Sequence, residues 1–128
     1  GLLVLTNDGK LSNQLTHPRH KVEKEYLVTL NRPFDLSQKP KLLHGILTPE
    51  GTAKADRVWG NGRKVNVVLT QGMKRQIRHM FSALGYDVKR LQRIRIGDLT
   101  ASRLVPGAFS TLQKWQIKKM LETPAKED

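Results

Sequence analysis

The segment from Arg75 to Leu84 carries the densest chemistry in the chain. Ile77, Met80, Phe81 and Leu84 recur at i, i+3, i+4 and i+7, the spacing of an apolar helix stripe facing a core. Arg75, Arg78, His79 and Ser82 repeat that spacing one face away. The same helix therefore presents a basic side. Lys74 and Arg75 stand at its N-terminal end, where unpaired N–H groups and the helix dipole already favour an anion. Gly72, just before, lets a backbone approach closely. Cations in a first turn oppose the dipole, so helix stability does not explain them. Charged helix faces are commonly just solvated, but here more basic residues lie on both sides: Arg19, His20, Lys21 and Lys24 before, and Lys89, Arg90, Arg93 and Arg95 after. The chemistry such residues support is the binding of phosphate or carboxylate. If Arg93 to Ile96 is a strand, simple alternation puts Arg93 and Arg95 on one face, with Ile94 and Ile96 on the other.

The whole composition points the same way. The 128 residues include 23 Lys plus Arg against 11 Asp plus Glu, a formal charge of +12, which favours a polyanionic partner. Bound phosphates would make that association salt-dependent. No apolar run reaches the roughly 20 residues needed to span a bilayer, and no signal peptide is visible. There is no cysteine, which excludes disulfides, thiolate metal sites and cysteine nucleophiles and fits a cytoplasmic location. The four histidines, His17, His20, His44 and His79, form no metal-ligand spacing, so no metal is expected. Aromatic residues make up only 5%. Folded RNA read by shape and phosphates, with one base drawn out, suits this composition better than a long stacked single strand.

These residues need elements to hold them. Leu2 to Thr6 reads as a buried strand, and Asn7-Asp8-Gly9 as a turn. A short helix with Leu11 and Leu15 on one face comes next, bounded by Pro18. Glu25 to Leu30 alternates as a strand, with Tyr26, Val28 and Leu30 on one side. Leu36 to Leu47 is expected to be helical. Thr52 to Trp59 and Arg63 to Thr70 read as a hairpin about Gly60-Asn61-Gly62, with Asn-Gly at its centre. Gly85 should close the basic helix in a left-handed conformation. Asp87 to Ile96 holds one or two short strands, and Val105-Pro106-Gly107 is a turn. Ser110 with Gln113 matches a capping box that opens a last helix, whose apolar side is Leu112, Trp115, Ile117, Met120 and Leu121. The expected class is α+β: a mixed, largely antiparallel sheet with flanking helices. Residues 1–122 form one domain and 123–128 a flexible tail. An abrupt apolar start without Met predicts a fragment or cleavage product.

Five segments, in order, resemble the RsuA-type rRNA pseudouridine synthases: Gly1-Leu2-Leu3-Val4-Leu5-Thr6-Asn7-Asp8-Gly9, Leu15-Thr16-His17-Pro18-Arg19, Glu23-Lys24-Glu25-Tyr26-Leu27-Val28, Gln71-Gly72-Met73-Lys74-Arg75-Gln76-Ile77-Arg78-His79-Met80-Phe81, and Val88-Lys89-Arg90-Leu91. The resemblance spans about residues 1–121. It implies that family's fold, with a cleft across the sheet, and an isomerisation that needs no cofactor or metal. In that reaction the uridine C1′–N1 bond breaks, the base turns, and it is rejoined through C5. The family's catalytic Asp acts on the ribose, as nucleophile or base, on a flipped-out nucleotide. By motif, Tyr26 matches the tyrosine that stacks on the target base, although without the resemblance it reads better as a core residue on a sheet. Arg78 matches the arginine that pairs with the catalytic carboxylate and would keep it ionised and aimed. Ile77 would help wall the base pocket. Arg19, Lys24, Lys74, Arg75, Arg90, Arg93 and Arg95 would bind RNA.

The sequence departs from the family in one place that matters. The resemblance puts the catalytic Asp in an Arg-Leu-Asp segment a few residues upstream of the glycine matching Gly1. The family's first strands and its small RNA-binding domain would also precede that glycine, leaving an open sheet edge. The aspartates present are Asp8, Asp35, Asp56, Asp87, Asp98 and Asp128, and none stands at the family's catalytic position. The expectation is an rRNA pseudouridine synthase whose nucleophile lies outside this sequence. Two other readings stay open: a non-catalytic structured-RNA-binding module acting in ribosome assembly, and a DNA-binding protein using the basic helix. The last lacks a helix-turn-helix partner.

Overall fold

A computed structural model describes residues 1–16, 21–100 and 108–121. Arg19, the Val105–Gly107 turn and the 123–128 tail lie outside the described residues. Helix α1 (Gly9–Thr16) is succeeded by β1 (Lys24–Leu30), a single 3₁₀ turn (Leu36–Gln38) and α2 (Lys39–His44). Strands β2 (Ile46–Thr48), β3 (Gly51–Ala53), β4 (Arg57–Asn61) and β5 (Lys64–Leu69) lead to α3 (Gln76–Ala83). The chain continues through β6 (Val88–Ile96) and β7 (Leu99–Thr100) to α4 (Lys114–Leu121). Five strands form one sheet in the order β4-β5-β1-β6-β7, and β2 and β3 form a separate ribbon. Every strand pairing among the described residues is antiparallel. The α+β class expected from the sequence is the class observed.

The central strand β1 alternates as its residue types require. Val28 and Leu30 are fully buried on the inner face. They pack with Val65, Val67 and Leu69 of β5, with Leu42 of α2, and with Ile77, Met80 and Phe81 of α3. A second apolar cluster joins Leu2, Leu11, Leu15, Val22, Ile96 and Met120, so it ties the start of the chain and α1 to the end of β6 and to α4. Helix α3 ends as expected. Gly85 has φ +87, and its N–H donates to Ser82 while that of Tyr86 donates to Phe81, a Schellman-type closure.

Several expectations are corrected. Leu2 to Thr6 is not a strand. Leu2 N–H donates to Arg93 C=O (2.8 Å), but Leu3 and Leu5 are 68% and 86% exposed. Residues 36–47 are not one helix. Asp35 caps the 3₁₀ turn through Ser37 N–H, α2 takes Pro40 in its first turn, and Gly45 at φ +117 ends it after six residues. The stretch from Thr52 to Trp59 divides between β3 and β4. The hairpin turn lies one residue later than predicted: Asn61 pairs with Lys64, so the loop residues are Gly62 and Arg63. Of these two, only Gly62 has positive φ (+63), which requires glycine at the first loop position and not Asn-Gly at both. Asp87 to Ile96 holds one strand, as the sequence allowed, but Val88–Ile96 is nine residues long rather than short. The last helix starts at Lys114, and Gln116 Oε1 accepts from Gln113 N–H, so the capping pair is Gln113 with Gln116 rather than Ser110 with Gln113. Trp115 is 64% exposed and lies outside that helix's buried side.

Candidate active site

Strands β1 and β6 fix the site by their register. Glu25 pairs with Arg95 and Tyr26 with Arg93, so Ile94 is an extra residue, a bulge in the middle of β6. A second irregularity falls between Thr29 and Leu30, leaving Lys89 over. Each bulge reverses the face on which the succeeding residues of the strand lie. Arg93 therefore shares the inner face with Tyr26, and Arg95 shares the outer face with Glu25. The sequence expectation that Arg93 and Arg95 lie on one face is wrong, because strict alternation cannot anticipate an unpaired residue.

The two arginines meet different fates. Arg95 Nε contacts Glu25 at 3.0 Å and its Nη2 contacts Glu23 at 3.3 Å, with all three side chains no more than 14% exposed. Another of its N–H groups donates to the Gly97 carbonyl. Its charge is already neutralised within the fold. Arg93 instead lines a cavity of about 430 Å³ with Lys24, Tyr26, Leu91, Arg75, Gln76, Ile77 and Arg78. The cavity thus brings together Tyr26 from one motif and Ile77 and Arg78 from another, along with Lys24, Arg75 and Arg93. Four cations line it, and among the described residues no carboxylate does. Lys74 and Arg90 are exposed and lie outside it.

Three of the four cations are held by their neighbours. Arg78 extends half-buried from α3, and its Nη1 donates to the Val88 carbonyl at 3.2 Å, anchoring it to the start of β6. Arg93 Nε donates to the Leu2 carbonyl at 2.8 Å. With the Leu2 N–H bond to Arg93 C=O, this binds the first residues of the chain to the cavity wall. Gly1 is packed so tightly there that a Cβ would sit 2.6 Å from Arg93 N. Lys24 Nζ donates to the Leu15 carbonyl at the end of α1 (2.8 Å), a favourable place for a cation. Burial, and then the nearby Arg93 charge, lowers its pKa below the ordinary 10.5.

The loop before α3 has a clamp that sequence reasoning missed. Gln76 is 4% exposed. Its Oε1 accepts from Met73 N–H (3.3 Å), and its Nε2 donates to Gln71 Oε1 (2.8 Å) and faces the Lys54 carbonyl (3.4 Å). Gln71 Oε1 also accepts from Lys54 N–H (2.8 Å). This amide pair holds loop 71–75 beside the cavity. Arg75 comes next in a left-handed conformation (φ +53) without a side-chain cap, rare for a residue with a Cβ. A buried glutamine beginning an otherwise amphipathic helix was the available signal.

None of the described aspartates lines the cavity, and the side chains of Asp8, Asp35, Asp56 and Asp98 have partners elsewhere. Asp8 Oδ1 accepts from Lys10 and Leu11 N–H at the start of α1, Asp56 accepts from Thr70 Oγ1, and Asp98 lies 3.9 Å from Lys119. Among the described residues no cluster of three His, Cys, Asp or Glu is placed to hold a metal, and no helix is long and apolar enough to cross a membrane.

An aromatic ring, an aliphatic wall and converging cations beside an antiparallel sheet have the chemistry to accept a planar group carrying negative charge. Comparison with known proteins gives the class a family. The sequence model for RNA pseudouridylate synthase matches residues 1–83. An uncharacterized RNA pseudouridine synthase of Aquifex aeolicus is 33% identical over 95% of this chain and 51% of its own length. Ribosomal large subunit pseudouridine synthase B of Salmonella typhimurium is 34% identical over 97% of this chain and 46% of its own. The crystal structure of a pseudouridylate synthase superposes with a TM-score of 0.82 at 34% identity, covering 90% of this chain and 52% of that one. The chain belongs to the RNA pseudouridylate synthase family, and the RsuA-type resemblance of its sequence is borne out. It spans about half the length of the curated relatives it matches.

Proposed function

We propose that this chain supplies the base-binding and arginine-bearing wall of an enzyme that isomerises a uridine of ribosomal RNA to pseudouridine, with the catalytic aspartate coming from a segment upstream of Gly1. One observation carries the reading. The cavity that holds Tyr26, Ile77 and Arg78 is bounded by Arg93, which is bonded to Leu2 and packed against Gly1. A carboxylate entering from the residues before Gly1 would arrive among cations that have none. Arg78, fixed by Val88, would hold that carboxylate ionised and aimed at the ribose. Tyr26 would stack on the flipped uracil, with Ile77 as the apolar wall. Lys24, Arg75 and Arg93 line the same cavity and would take the flanking phosphates, with Lys74 and Arg90 outside it. The relatives named for the ribosomal large subunit support ribosomal RNA as substrate.

In this reaction the C1′–N1 bond breaks, C5 bonds to C1′, the hydrogen on C5 leaves to solvent as a proton, and N1 takes up a proton in its place. RNA tritiated at uridine C5 therefore reports turnover. The chain alone is expected to release no tritium. With the upstream segment supplied, release should appear, and Arg78→Ala or Tyr26→Ala should lower it by about a hundredfold or more. Robust release from the isolated chain, or full activity in either variant, would overturn the assignment. A cavity lined by cations without a carboxylate also suits the second reading, a non-catalytic RNA-binding module. That reading predicts rRNA binding with no tritium release even when the upstream segment is present.

A further inference from the structure

The outer face of the main sheet contributes no side chain to the apolar cluster that α2 and α3 cover. Across four strands, Trp59 pairs with Asn66, Asn66 with Leu27, and Leu27 with Gln92, so these residues form one row on one face. None of the four belongs to either apolar cluster. The row begins with an indole on an edge strand, 39% exposed, with the Arg57 guanidinium 5.3 Å from its ring. Two amides share the row, Asn66 and Gln92. Asn66 Nδ2 donates to Glu25 (3.1 Å), which fixes the amide and orients its carbonyl oxygen. The next row carries Lys64 and Arg90, joined through Thr29. The two acids on this face, Glu23 and Glu25, are already held by Arg95.

A ring for stacking, amides beside it and cations one row away match the chemistry of an unpaired nucleotide: base on Trp59, base edge on the amides, phosphates on Lys64 and Arg90. The charge of the face excludes an acid-seeking or apolar partner in favour of a polyanion. We propose that this outer face is a second RNA contact, taking a single-stranded segment of the RNA whose target base enters the cavity on the opposite face. The inference rests on the proposed function only for RNA being the partner.

The test uses the full chain carrying Trp115→Phe, which leaves Trp59 as its sole tryptophan, and a single-stranded RNA of about eight nucleotides. Trp59 fluorescence should be quenched on titration. Trp59→Ala should weaken binding about fivefold or more, and Lys64→Ser with Arg90→Ser should flatten the salt dependence by about two units of slope. Trp115→Phe alone should bind as the parent does. Unmoved Trp59 fluorescence at saturating RNA, equal quenching by fully duplex RNA, or unchanged affinity in a folded Trp59→Ala protein would each overturn the proposal. Should Trp59→Ala not fold, the quenching measurement decides alone. Arg78→Ala should leave the quenching intact, so a failed isomerisation assay and a failed second contact are told apart.

Discussion

Arg93 and Arg95 stand two residues apart on one strand, yet they serve opposite faces of the sheet. On the outer face, Arg95 is closed into pairs with Glu23 and Glu25. On the inner face, Arg93 joins Lys24, Arg75 and Arg78 around a cavity that no acid lines among the described residues. The difference is not in residue type. It comes from Ile94, the unpaired residue that lets the strand change face between them. One bulge thus separates a charge that stabilises the fold from a charge left available to a ligand, and bulges beside active sites commonly re-aim side chains in this way.

The sharpest test of this contrast is catalytic. In a protein with the complete site, Arg78→Ala should lower tritium release by about a hundredfold or more, while Arg95→Lys should keep most of the activity. Equal losses would erase the distinction between the two faces. Next in size is stability. Arg95→Ala removes the close cationic partner of both Glu23 and Glu25 in a site that is nearly closed to solvent, leaving only Arg57 at 3.8 Å from Glu23 and the Asn66 amide on Glu25, and should cost about 3 kcal/mol in urea unfolding. A loss below about 1 kcal/mol, the range of a surface pair, would mean that the outer network is not structural.

A smaller effect separates the arginines by their partners. Arg93→Ser should weaken binding of an rRNA fragment several-fold and reduce the salt slope by about one. Arg95→Lys should leave the slope unchanged, and a slope change in both would show that Arg95 also reaches phosphate. The smallest effect concerns Lys24. Burial and Arg93 lower its pKa in the folded chain, so just below 10.5 the unfolded chain binds the extra proton. Stability contributed at this residue should therefore rise with pH through the window between the lowered value and 10.5. Lys24→Met should remove that rise in denaturation measured across the alkaline range, and an unaltered pH profile would locate the cause elsewhere.

Much of this arrangement was legible in the sequence. The 3.6-residue period of Ile77, Met80, Phe81 and Leu84 gave α3 and its buried side, and the alternation of Tyr26, Val28 and Leu30 gave β1 with its inward face. Gly85 marked the helix end because a left-handed closure suits a residue without Cβ. Other features depended on pairing between distant segments. The hairpin centre moved from Asn61-Gly62 to Gly62-Arg63 because the register of β4 against β5 sets which residues are left to turn. Leu2 to Thr6 has the composition of a strand, but only tertiary contacts decide whether such a run is covered. Gln76 reads as an ordinary helical residue until loop 71–75 folds back on it.

The sequence by itself determined the charge, the helix and strand periods, and the family motifs that single out Tyr26, Ile77 and Arg78, because composition and local spacing are written along one dimension. Which cations share a cavity and which are silenced by acids was decided by the folded sheet alone. Face depends on strand register, and register is a relation between residues some seventy positions apart, such as Glu25 and Arg95.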